Sequence, residues 1–186
     1  MPIFNLLVTI FWVTFFVYWL VSAFGVKKNV RAERTWARSA GMRILLIVVI
    51  ILVLLFAPLS GFFGYRFGPS VQAVGVVFCG AGIAFAIWAR RHLGKNWSGT
   101  PSIKEDHELV TSGPYALVRH PIYTGMLAAL FGSALVSGVV WFAIFIIFGA
   151  NFIYRVPVEE SFMMRLFPEA YPEYKKRTKA LIPFIW

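Results

Sequence analysis

From Ile3 to Val26 the chain runs without a single charge, and a helix needs about 20 predominantly apolar residues to cross about 30 Å of hydrocarbon. The pattern predicts a first membrane-spanning helix over 3–26. Lys27, Lys28, Arg31, Arg34 and Arg38 follow the apolar run instead of preceding it, the reverse of a cleaved signal peptide, so this helix is expected to remain as an anchor with its N-terminus outside. A second span is expected over 40–63, with Arg43 near enough to its start to snorkel, and a third over 70–89 after an outer turn marked by Gly64, Gly68 and Pro69. Ile122 to Tyr154 is again uncharged, but 33 residues are short for two full crossings. Ser133, Ser137 and Gly138 interrupt it, so two short helices, 122–136 and 139–155, are expected to form a hairpin that barely crosses or only dips into the bilayer. The expected fold is an all-α integral membrane protein. It is a single domain over 1–186 with about five transmembrane helices, cytoplasmic segments 90–121 and 156–186, and a C-terminal helix.

Composition agrees with that pattern and narrows it. The chain is 59% hydrophobic and 14% charged with a mean hydropathy of +0.73, whereas a soluble domain carries about 25% charged residues. Cys79 is the only cysteine and lies in an apolar run, which removes disulfide frameworks and cysteine-based zinc sites. His92, His107 and His120 have no i, i+4 spacing among them, so no metal is expected.

The net charge of +10 is placed unevenly. Seventeen of the 18 basic residues fall in 27–43, 90–119 and from Arg155 onward, leaving only Arg66 on the opposite side, and all eight acidic residues share the basic face. That asymmetry puts the basic face and the C-terminus in the cytoplasm, against anionic headgroups. Nucleic acid is not an expected partner, because no known basic and aromatic module is present.

Spans leave unexplained the density of special residues between Arg90 and Gly125. His107-Glu108-Leu109-Val110-Thr111-Ser112-Gly113-Pro114-Tyr115, then Arg119-His120-Pro121-Ile122-Tyr123-Thr124-Gly125, and later Arg155-Val156-Pro157-Val158-Glu159-Glu160, together resemble the signature of the isoprenylcysteine carboxyl methyltransferase family. The second of these stretches alone also suits phospholipid N-methyltransferases. The resemblance covers about residues 90–186 and continues through Tyr174, Lys175, Lys176 and Leu181 to Ile185. Thr100 departs from it where eukaryotic members have a Gln, and Pro168 where relatives commonly have a Gly.

The resemblance implies S-adenosylmethionine as methyl donor, bound at the cytoplasmic mouth by His107, Leu109, Val110, Tyr115, His120, Pro121, Ile122, Tyr123 and Glu159. It implies a lipophilic acceptor entering from the bilayer, with Arg155, Glu159 and Glu160 as the catalytic set. The donor's adenine needs apolar walls, its ribose hydroxyls acceptors and its carboxylate donors, and these residue types offer all three.

Two readings of the Arg155 region stand side by side. Arg155 ends the last apolar run, as a snorkelling anchor would. Pro157 disfavours helical geometry at Val156 and suits a first turn, so a new helix is expected to begin there with Glu159 and Glu160 near its positive end. In the sharper reading, Arg155 clamps an acceptor carboxylate while Glu159 grips the donor. Asn151 lies on the same helical face as Arg155, where a polar residue joining helices is an equally good explanation. A carboxylate acceptor is already ionised, so His120 is expected to position and not to deprotonate. Other acceptors on the same donor site, a lipid amine or a small thiol, remain open, as do a sterol-type membrane reductase and a non-catalytic scaffold.

Overall fold

The computed structural model describes residues 3–23, 29–32, 67–96, 102–104 and 108–185; the span expected over 40–63 lies outside them. Helix α1 covers Ile3–Ala23 and strand β1 Asn29–Ala32. Helix α2 covers Pro69–Leu93, followed by a 3-10 turn at Gly94–Asn96 and strand β2 at Ser102–Lys104. Then come α3 (Pro114–Leu117), α4 (Pro121–Ser137), α5 (Val139–Leu166) and α6 (Ala170–Arg177). Among the described residues, α1, α2 and α5 are long and apolar enough to cross a membrane. Helix α4 is apolar but has 17 residues, which rise only about 25 Å.

Helix starts follow local chemistry. Pro69, Pro114 and Pro121 open α2, α3 and α4, where a missing N–H costs nothing. Gly138, at φ 87, turns α4 directly into α5. An L side chain is strained at that φ.

Helices α2 and α4 form the centre because their backbones nearly touch. A Cβ placed on Gly75 would sit 2.7 Å from the Gly132 carbonyl oxygen, and one on Gly125 would sit 2.5 Å from that of Gly82. Small residues permit this approach, which is how apolar helices gain dispersion contacts within lipid. Ser133 lies in that seam, donates to the Ala129 carbonyl at 2.8 Å and accepts from Trp12 Nε1 at 2.9 Å. Helix α1 is held there by Val8 and Phe15 against Ile83, Ala86 and Ala129. Near the end of α1, buried Arg90 donates from Nη2 to the Ser22 carbonyl at 2.7 Å.

Two expectations need correction. The fold is mostly helical but not all-α: β1 and β2 pair antiparallel, with Arg31 opposite Ile103 and Ala32 opposite Ser102. Polar stretches following α1 and α2 thus satisfy backbone groups on each other. Nor does a helix begin at Pro157, which lies inside the continuous α5. An interior proline forfeits one bond and costs about 3 kcal/mol or more. Packing offsets it, since Phe152 and Val156 before the proline and Glu160 and Phe162 after it are all buried.

Candidate active site

The site forms where the start of α4 meets the polar end of α5. Val118 is extended, and residues 118–120 lie beside 179–180: Val118 bridges Lys179 in parallel, the Arg119 N–H donates to the Lys179 carbonyl at 2.8 Å, and the His120 N–H to that of Ala180 at 3.0 Å. Pro121, fully buried, then starts α4 and brings Tyr123 round beside His120. Three rings stack in sequence. His120 and Tyr123 lie 5.6 Å apart at 5° between planes, and Tyr123 and Phe152 4.2 Å apart at 7°.

Glu159 is the hub of this cluster. Its Oε1 accepts from the Tyr123 hydroxyl at 2.6 Å and from Arg155 Nε and Nη2 at 3.1 and 2.8 Å. Its Oε2 lies 3.6 Å from His120 Nδ1. The Arg155 guanidinium also sits 5.8 Å from the centre of the Tyr123 ring, within cation–π range. Arg155 and Glu159 are i, i+4 neighbours on α5, so the helix itself presents them together.

Glu160, the next residue, shares His120 with Glu159, its Oε1 lying 3.6 Å from His120 Nε2, and otherwise serves a different set. Arg119 donates to its Oε1 from Nε at 2.7 Å and Nη2 at 2.6 Å, and Lys175 Nζ lies 2.7 Å from its Oε2. Arg119 Nη1 also donates to the Thr178 and Lys175 carbonyls. With both oxygens taken by cations, Glu160 braces α5 against α6 and the 118–120 segment. Asn151 Oδ1, one turn before Arg155 on α5, is buried without a hydrogen bond, a condition that costs about 1–3 kcal/mol; His120 Nε2 is also buried without one, 3.6 Å from Glu160 Oε1.

The remaining expected residues take less direct places. Tyr115 is buried behind the cluster, its ring 6.5 Å from that of His92 and its carbonyl accepting from the Tyr174 hydroxyl at 2.6 Å. Burial pushes the Tyr174 phenol above its ordinary range, so it stays protonated as the donor. Leu109 and Val110 are half-buried in the stretch before α3, and Ile122 is half-buried beside Tyr123. His107 and Thr100 lie outside the described residues. The sequence motif includes Arg119 but assigns it no role, because its partner Glu160 lies 41 residues away, and nothing in the sequence marks Phe152, which stacks on Tyr123.

The family model for phospholipid methyltransferases matches residues 71–170. Protein-S-isoprenylcysteine O-methyltransferase B of Arabidopsis thaliana is 33% identical over 84 residues, covering 44% of this chain and 43% of that protein. The protein-S-isoprenylcysteine O-methyltransferase of Schizosaccharomyces pombe is 34% identical over 83 residues, covering 44% and 35%. The matches thus span less than half the length of these curated relatives. Among solved structures, the eukaryotic intramembrane Ras methyltransferase ICMT (isoprenylcysteine carboxyl methyltransferase) shares the fold with a TM-score of 0.58 at 23% identity, covering 83% of this chain and 55% of that one. The matched stretch contains nearly all of α2, the stacked rings, Arg155 and both carboxylates, and on that footing the chain belongs to the phospholipid methyltransferase family.

Proposed function

We propose that the chain is an S-adenosylmethionine-dependent methyltransferase of the membrane, which methylates the carboxylate of a lipophilic, isoprenylcysteine-like acceptor. The observation that carries this reading is the Glu159 hub: one carboxylate shared by Arg155 and Tyr123, with His120 beside it, at the polar end of an apolar helix. The fit to the donor is chemical. Its ammonium and sulfonium are cations suited to Glu159, and its adenine is a flat ring suited to His120 and Tyr123, whose planes are nearly parallel. His120 Nε2 is buried without a hydrogen bond, 3.6 Å from Glu160 Oε1, so a polar group of a ligand would complete its pairing. Leu109, Val110, Pro121 and Ile122 would supply apolar walls, and Tyr115 would back them. His107 joins this set by its place in the motif.

When bound, S-adenosylmethionine supplies an electrophilic methyl group. The work of the chain is to hold and orient. Glu159 receives two N–H donors of Arg155 and sets its position, and a planar guanidinium held there is chemically suited to an acceptor carboxylate. These residues would contribute to rate by holding acceptor and donor together and keeping water out. His120 and Tyr123 shape the floor, and Glu160 fixes α5 without touching the reactants. The site faces the cytoplasm, the N-terminus lies outside, and the acceptor arrives sideways from lipid.

The test is methyl transfer from labelled donor in proteoliposomes, with a prenylated cysteine analogue and a lipid amine as competing acceptors. A base-labile methyl ester on the cysteine analogue is expected. The family's own description favours one second reading, N-methylation of a phospholipid amine. Such an amine must first lose a proton, and His120 lies 3.6 Å from both Glu159 and Glu160, where it could accept one. Label in the lipid amine alone would establish that reading, and label in neither would refute both.

A further inference from the structure

Beyond Leu181 the chain displays apolar side chains that the described residues leave uncovered. Leu181 itself is buried with Val156 and Ala180 against Tyr123 and Leu127, and its carbonyl accepts the Thr124 hydroxyl at 2.7 Å. The chain then turns sharply, the Ile185 N–H donating to the Ile182 carbonyl at 3.2 Å with Pro183 and Phe184 at the corners. Phe184 has φ 67. Proline followed by a positive φ is the pattern of a type II turn, whose second corner ordinarily holds Gly or Asn because other side chains are strained there. Yet Phe184 is 94% exposed, with Ile185 at 73% and Ile182 at 50%. Within the described fold, nothing compensates the strain of displaying this phenylalanine.

We propose that the turn Ile182–Ile185 is a wedge seated in the interfacial layer of an anionic bilayer, and that its seating steadies the segment bearing His120. The turn emerges from the flanks of α4 and α5, because Leu181 packs on Leu127 and Val156. Helix α5 is long and apolar enough to span, and Val156 lies near the end of its uncharged run, so the side chains that follow Leu181 meet the bilayer at its edge. Aromatic and aliphatic groups flanked by cations partition into that layer, and Arg177 and Lys179 are exposed just before the turn. Each such cation near an anionic surface adds to the attraction. The coupling runs through the backbone. Lys179 and Ala180 offer their carbonyls to the Arg119 and His120 N–H groups, so a C-terminal segment pinned in lipid holds the start of α4 in place.

The experiment needs no methyl donor and stands apart from the functional reading. An environment-sensitive fluorophore is attached through I185C, with Cys79→Ala removing the native cysteine, and the protein is placed in nanodiscs of phosphatidylcholine with or without phosphatidylglycerol. The probe should be quenched by acyl-brominated lipid and shielded from aqueous iodide, the more so with phosphatidylglycerol present. Phe184→Gly should raise iodide quenching several-fold while thermal stability stays level or rises, because it removes both wedge and strain. It should also speed amide exchange at Arg119 and His120 several-fold. Iodide reaching the probe equally in both lipid compositions, or no response to Phe184→Gly, would overturn the wedge. Shielding that is lost while exchange at Arg119 and His120 stays constant would overturn the coupling.

Discussion

Arg119 and Glu160 form an ion pair 41 residues apart in sequence, with Nη2 at 2.6 Å from Oε1 and both side chains nearly buried at 8% and 3% exposure. Breaking such a pair leaves a desolvated charge alone, which costs about 3–5 kcal/mol. Glu160→Gln is therefore expected to lower the unfolding free energy by about 3 kcal/mol or more, measured by denaturant titration in micelles. A loss below about 1 kcal/mol would mean that water reaches the pair.

Glu159→Gln should separate cleanly from its neighbour. Glu159 is more exposed than Glu160, so stability should drop less. Donor affinity should fall at least about tenfold, or 1.4 kcal/mol, because a charged acceptor for a cation is gone. His120→Ala should act in the same direction. Calorimetric titration with S-adenosylmethionine reads both, and unchanged affinity in either variant would remove that residue from the donor site.

Arg155→Lys keeps the charge and discards the planar fork. Turnover on the preferred acceptor should fall by about tenfold or more, with donor affinity altered by less than about twofold. Wild-type turnover would leave Arg155 as an interfacial anchor.

Gly125 closes the His120 motif, yet its position is decided by packing. Any Cβ there would press on the Gly82 carbonyl at 2.5 Å and the Ala86 nitrogen at 2.7 Å. Gly125→Val should force α2 and α4 apart and cost about 3 kcal/mol or more of stability, read by thermal unfolding. Tolerance of valine would show that the helices are more loosely joined.

Reporter fusions at each end should place the N-terminus outside and the C-terminus in the cytoplasm, as the distribution of basic residues requires. Cytoplasmic labelling of the N-terminus would reverse the proposed topology and move the donor site to the other face.

What could be read beforehand follows from which forces are local. Uncharged runs such as 3–26 report bilayer thickness directly, and Arg155 with Glu159 at i, i+4 is a spacing visible in the chain. Pro157 misled because its local preference for a helix start was outweighed by burial of Phe152, Val156, Glu160 and Phe162 on both sides of it. The partners of Arg119, the pairing of β1 with β2, and the separate duties of Glu159 and Glu160 depend on contacts between distant segments, for which the sequence holds no periodic signal.

The parallel contact of Val118 with Lys179 also imposes an order on biosynthesis. Arg119 and Thr178 are separated by 59 residues, so at about 5–20 residues per second a ribosome needs on the order of 3–12 s to deliver one after the other. Until then the backbone N–H groups of Arg119 and His120 have no carbonyls to meet. Chains truncated before Lys179 and released should therefore insert α4 and α5 yet show weakened affinity for the proposed donor, because the segment bearing His120 lacks its backbone partners.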